Sequence, residues 1–193
     1  MSAHLENLKA ILAATMAIVM YSIPLSAQDA GGVQPPRDLP ALYAELAEAE
    51  EDAAIALVRE IELEWRRSGS VTLDLLLRRG TDALERGDTG AAIDHFTALT
   101  DHAPDFAAGW YGRAKAFFAT QQWGLAVADL EHVLAIDPDH FEAIYALGAI
   151  LEQSDRPKKA LVAYQLALGV HPHYDDAQQA VARLTPKVGG RDL

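Results

Sequence analysis

Residues 107–140 read AAGWYGRAKAFFATQQWGLAVADLEHVLAIDPDH, and the segments on either side repeat their pattern in phase: LDLLLRRGTDALERGDTGAAIDHFTALTDHAPDF at 73–106 and FEAIYALGAILEQSDRPKKALVAYQLALGVHPHY at 141–174. Pro104, Pro138 and Pro172 stand 34 residues apart, as do Ala92, Ala126 and Ala160. Gly80, Ala114 and Gly148 form a third column, all small, and Leu77, Tyr111 and Tyr145 a fourth, all bulky. A fixed period of this size marks stacked supersecondary units.

Each period predicts two short helices. Leu73, Leu76, Leu77, Gly80 and Leu84 follow the spacing of one helix face. Arg86-Gly87-Asp88 breaks that helix, and Asp88 is placed to cap a second one that turns Ala92, Ile93, Phe96 and Leu99 inward. Pro104 closes the unit and Asp105 is placed to cap the next. The later periods repeat this, with turns at Gln121-Gln122 and Ser154-Asp155-Arg156, and Pro157 suits the first turn of a helix. Two helices approach closely only where one presents Gly or Ala, which explains the small columns.

These residues resemble the tetratricopeptide repeat, W-x2-L-G-x2-Y…A-x3-F…P over 34 residues. The resemblance rests on Gly80, Ala92-x3-Phe96 and Pro104; on Trp110, Ala114, Ala126-x3-Leu130 and Pro138; and on Leu147-Gly148, Ala160-x3-Tyr164 and Pro172. The Trp column survives only at Trp110, and Arg79 and Arg113 stand where the pattern has Leu. The resemblance implies an all-α, right-handed solenoid of helix-turn-helix repeats at 73–106, 107–140 and 141–174. It also implies a concave groove lined by the first helix of each repeat, where a protein or peptide ligand lies. Carried across, the groove residues are Leu77, Tyr111 and Tyr145, then Lys115 and Ala149 with Thr81, then Phe118 and Glu152 with Leu84. One variant of the family grips a terminal carboxylate with Lys, Asn and Arg in this column. Only Lys115 of that set stands here, so carboxylate clamping is not expected. The competing reading packs these aromatics between neighbouring helices as core.

Outside the repeats, residues 1–27 have the layout of a secretory signal: a short polar start, an apolar run from Ala10 to Ile23, and small residues up to Ala27. The run is shorter than the roughly 20 residues that span a bilayer. Cleavage after Ala27 is therefore expected, and an uncleaved membrane anchor is the alternative. Few Lys and abundant Ala and Arg point to a GC-rich bacterium, hence the periplasm. Residues 28–38 hold Gly31-Gly32 and Pro35-Pro36 and read as a linker. Residues 39–68 predict a degenerate helical hairpin breaking near Glu50-Glu51-Asp52, with one long helix as the competing reading. Residues 41–64 carry eight carboxylates against Arg59 alone, which either solvate exposed faces or offer an acidic docking surface. A capping helix is expected over 175–185, one-sided in Ala177, Val181 and Leu184, with 186–193 a frayed tail.

Composition excludes several chemistries. A net charge of −12 argues against nucleic acid, because phosphates need a basic partner surface. Without cysteine there is no disulfide, thiolate site or cysteine nucleophile. His102, His140, His171 and His173, with Asp101, Asp137 and Asp139, fall in the connections between repeats. Successive connections lie about 10 Å apart, too far for ligands to converge, so no metal is expected. No G-x-S-x-G elbow or phosphate loop is present. The sequence thus points to a non-catalytic binding scaffold or adaptor without cofactor. The alternative is a membrane-tethered subunit whose repeats brace a larger envelope complex.

Overall fold

The computed structural model describes residues 37–189, all within one unit, Pro36–Leu193. The expected signal, its cleavage site, most of the linker and the last four residues lie outside the described residues. Nine helices make up the described part, and it contains no strand. They are α1 (Leu39–Glu48), α2 (Glu51–Trp65), α3 (Val71–Glu85), α4 (Thr89–His102), α5 (Ala107–Ala119), α6 (Trp123–Ile136), α7 (Phe141–Gln153), α8 (Pro157–Val170) and α9 (Asp175–Gly189). Helices α3/α4, α5/α6 and α7/α8 pack as pairs, each pair packs on the next, and α9 closes the end against α8. This is the all-α repeat solenoid that the period predicts.

The small columns sit at the helix crossings. Ala92, Ala126 and Ala160 are fully buried. A Cβ added at Gly80 would come within 2.6 Å of the Phe96 ring, and one at Gly148 within 2.7 Å of the Tyr164 ring. Gly112, outside the periodic columns, is tighter still at 2.4 Å from Phe96. Phe96 therefore fills the space of two missing side chains, one on α3 and one on α5.

The turns inside the repeats carry a further 34-residue series. Gly87, Gln121 and Asp155 all have positive φ, at 77°, 59° and 54°. After each, the next backbone N–H reaches back to the carbonyl of Ala83, Phe117 or Leu151 at 2.9 Å. That bond pattern ends a helix with one left-handed residue. Asp88 caps α4 by accepting from the Ala91 N–H. Asp105 does not cap α5: that helix begins one residue later, with Phe106 at the cap position and no side-chain cap bond. His140 caps α7 instead, its Nδ1 accepting from the Ala143 N–H at 3.3 Å.

Two further features differ from expectation. Helix α9 runs to Gly189, four residues past 185 and through Pro186. Pro186 lies in the exposed last turn, where a missing backbone bond is replaced by water, and half-buried Val188 continues the stripe of Val181 and Leu184. The N-terminal hairpin breaks at Ala49 and Glu50, both extended, so that Leu42 and Leu46 of α1 bury against Ala54 and Ile61 of α2. Yet α2 does not pack on α3 as one repeat packs on the next. The hairpin buries its apolar face against Phe141 at the start of α7, Val170 at the end of α8 and Tyr174 after it, and α1 packs on α8.

Candidate functional site

The first helices α3, α5 and α7 line two neighbouring cavities of ≈ 500 and ≈ 510 Å3. Leu84, Tyr111, Lys115 and Glu142 belong to both, so the two form one trough running from α3 towards Tyr174. Of the residues singled out from sequence, Tyr111, Lys115, Phe118, Tyr145 and Ala149 line the second cavity. Leu77 and Thr81 line the first. Glu152 lines neither: its carboxylate accepts from the Tyr164 hydroxyl at 3.0 Å and from Arg183 at 2.7 Å, tying α7 to α8 and α9.

The aromatics are at once lining and packing. Tyr111 is half-buried, with its ring 4.9 Å from His140 and the Lys115 ammonium 5.5 Å from its centroid. Tyr145 lies 5.1 Å from both Tyr164 and Tyr174, and Phe118 meets Trp123 edge-on at 5.0 Å. Burial pushes the Tyr111 hydroxyl well above its usual range, and the neighbouring Glu142 adds to this. Burial likewise raises the Glu142 carboxyl, against the pull of the Tyr111 hydroxyl and Lys115. The trough therefore has an apolar floor with one ammonium and one reluctant carboxylate where its two halves join.

The first cavity has a wall that the period does not reveal. Glu62 and Trp65 of α2, with Arg66 just after it, line it together with Leu77 and Arg78 of α3 and Ala108 and Tyr111 of α5. Trp65 holds that wall in place. Its ring stacks on His140 at 3.8 Å and 5°, and its Nε1–H donates to the Tyr43 hydroxyl at 2.7 Å and to Asp137 Oδ2 at 3.1 Å. The Tyr43 hydroxyl donates to the same Asp137 oxygen at 2.6 Å. Burial raises the Asp137 carboxyl while these two donors pull it back down. At the other end of the hairpin, His173 Nε2–H donates to the Ala49 carbonyl at 2.9 Å.

Asp137 and His140 thus form part of the hairpin's seat, and His171 packs against Phe141 and Tyr174. Among the described residues, no group of three or more His, Cys, Asp or Glu side chains is arranged to hold a metal ion. The Trp65–Asp137 contact joins residues 72 positions apart, beyond the reach of a local pattern.

Two family models described as tetratricopeptide repeat match residues 77–138 and 117–184. A TPR repeat-containing protein of Rhizobium etli is 34% identical over 157 residues, covering 81% of this chain and 77% of that protein. Among solved structures, the Sgt2 TPR domain of Aspergillus fumigatus matches with a TM-score of 0.59 at 24% identity, covering 64% of this chain and 83% of that one. The first TPR of Spaghetti (RPAP3), bound to the HSP90 peptide SRMEEVD, matches with a TM-score of 0.58 at 20% identity, covering 61% and 93%. At these identities the two structures speak for the fold alone.

Proposed function

Because this chain belongs to the tetratricopeptide repeat family, we propose that it is a non-catalytic scaffold of the bacterial periplasm that holds a segment of a partner protein in the trough along α3, α5 and α7. Proteins of this family are binding scaffolds and adaptors. The observation that carries the reading is the continuity of the trough, whose two cavities share Tyr111 and Lys115 at their junction. Rings supply a large contact area at low entropic cost, as an anchor site requires.

The chemistry of the lining narrows the ligand. The Spaghetti domain holds an acidic peptide, SRMEEVD. Here Asp82, Glu85 and Glu142 line the first cavity together with Glu62 and Asp74, against Arg66, Arg78 and Lys115. A neutral or basic segment with apolar side chains suits this lining better than an acidic tail. Lys115 then takes a backbone carbonyl of the ligand.

Affinity capture from the native host's envelope, with wild-type protein and the Tyr111→Ala/Tyr145→Ala variant as paired baits, tests the reading. Loss of both rings should weaken binding of the captured partner by about 2 kcal/mol or more. The variant must retain its helical circular dichroism. A folded double variant that binds the partner as tightly as wild type would overturn the trough as the binding site.

A further inference from the structure

We propose that the α1–α2 hairpin is a hinged lid: it docks on the connections around the third repeat, closes one side of the trough, and swings away as a unit while the repeats stay folded. This rests on the trough being the binding site.

The hairpin is built as a separable piece. It carries its own apolar interior of Leu42, Leu46, Ala54 and Ile61. Its chain neighbour α3 does not serve as its packing partner. Between them lies Ser68-Gly69-Ser70, with Gly69 at φ 75° and nothing within 4 Å of an added Cβ. A left-handed glycine in open space is the backbone a hinge needs.

Its seat joins a polar cluster to an apolar patch. The attachment rests on one carboxylate, Asp137, shared by two donors, on the Trp65–His140 stack, and on the His173–Ala49 bond. Phe141, Val170 and Tyr174 supply the apolar remainder. Water replaces each of those hydrogen bonds when the hairpin leaves, and the apolar cost is confined to the patch around Phe141, Val170 and Tyr174, so the hairpin can undock without breaking the contacts between repeats. The consequence falls on the trough, because Glu62, Trp65 and the capping Arg66 are the hairpin's whole wall over the first cavity. When they lift, Tyr111 and Ala108 open to solvent. A partner segment thus competes with α2 for this half of the trough, while the half around Phe118 and Ala149 stays accessible in both states.

The absence of cysteine allows a test in the full chain that needs no partner. A single cysteine at Ala108, half-buried beneath α2, reports the covered half. One at Ala119, exposed in the second cavity, reports the uncovered half. The rate of reaction with 5,5′-dithiobis(2-nitrobenzoate) is measured for each, alone and combined with Trp65→Ala or Asp137→Ala. Releasing the lid should speed labelling at position 108 by about tenfold or more and leave position 119 within about twofold. An unchanged rate at 108 in both release variants would show that the hairpin does not gate the trough. Equal acceleration at both positions, or loss of the repeats' helical circular dichroism in both release variants, would show that the hairpin is part of the cooperative core. Either result overturns the lid and leaves the binding reading standing, since that is judged by the tyrosine variants.

Discussion

At the scale of single residues, the positions that matter most are those whose chemistry is set by burial. His140 accepts the Ala143 N–H at Nδ1, lies buried beneath Trp65, and has its pKa pushed down from 6.5 to about 3 by desolvation. The unfolded chain takes up a proton near pH 6.5 that the folded chain refuses until about pH 3. The histidine's contribution is therefore complete above pH 6.5 and lost as pH falls through that window. Acidification from pH 7 to 5 should remove about 2 kcal/mol of stability through this one ring. Asp137 and Glu142, both raised by burial, act with the opposite sign, so the comparison must isolate the histidine. His140→Asn keeps a capping acceptor and removes the titration; urea melts across pH 5–7 should show a flatter slope than wild type. The left-handed turns give a second prediction. Gln121 and Asp155 pay for a side chain at positive φ, whereas Gly87 does not. Gln121→Gly and Asp155→Gly should each stabilise by roughly 0.5–1 kcal/mol in thermal melts.

At the scale of helices, the second repeat is joined by a pair that the family pattern lacks. Arg113, where a Leu is usual, makes two 2.8 Å bonds to the Asp129 carboxylate and reaches the Thr97 and Thr100 hydroxyls. Its guanidinium also lies 4.8 Å over the Trp110 ring. Both side chains are largely hidden, at 15% and 6% exposure, so neither tolerates losing the other. Asp129→Ala strands the guanidinium and should cost about 3 kcal/mol. Arg113→Leu combined with Asp129→Leu should recover most of that, because an apolar pair needs no partner bonds. Equal losses in the single and double variants would show that the pair is not coupled. Arg79, at the same column in the first repeat, is exposed, so an identical departure from the pattern has a different meaning one repeat earlier.

At the scale of the whole chain, the hairpin converts an open groove into a trough with a wall, and the proposed export rests on the segment ahead of it. No helix among the described residues is long and apolar enough to cross a membrane. The run from Ala10 to Ile23 is likewise short for a span. Protein recovered from the cell envelope should therefore have the intact mass of a chain beginning at Gln28. A mass that retains residues 1–27 would instead favour a tethered subunit of an envelope complex.

The repeats were legible because a solenoid repeats its contacts. Each crossing needs the same small residue at the same place, so Ala92, Ala126 and Ala160 write the fold into the sequence at a fixed interval. Most of the trough followed from the same register, including Tyr111, Lys115, Phe118, Tyr145 and Ala149 along one cavity. The tertiary structure alone decided what has no period. Glu152 turned to Tyr164 and Arg183 because α9, a single cap, brought a guanidinium within reach. The close approach at Gly112 arises because one phenylalanine serves two helices. The hairpin's place was hidden for the same reason: Tyr43 and Trp65 meet Asp137 across 94 and 72 residues. A contact made once, between segments distant in the chain, leaves no repeating mark in a sequence; only the folded chain brings its halves together.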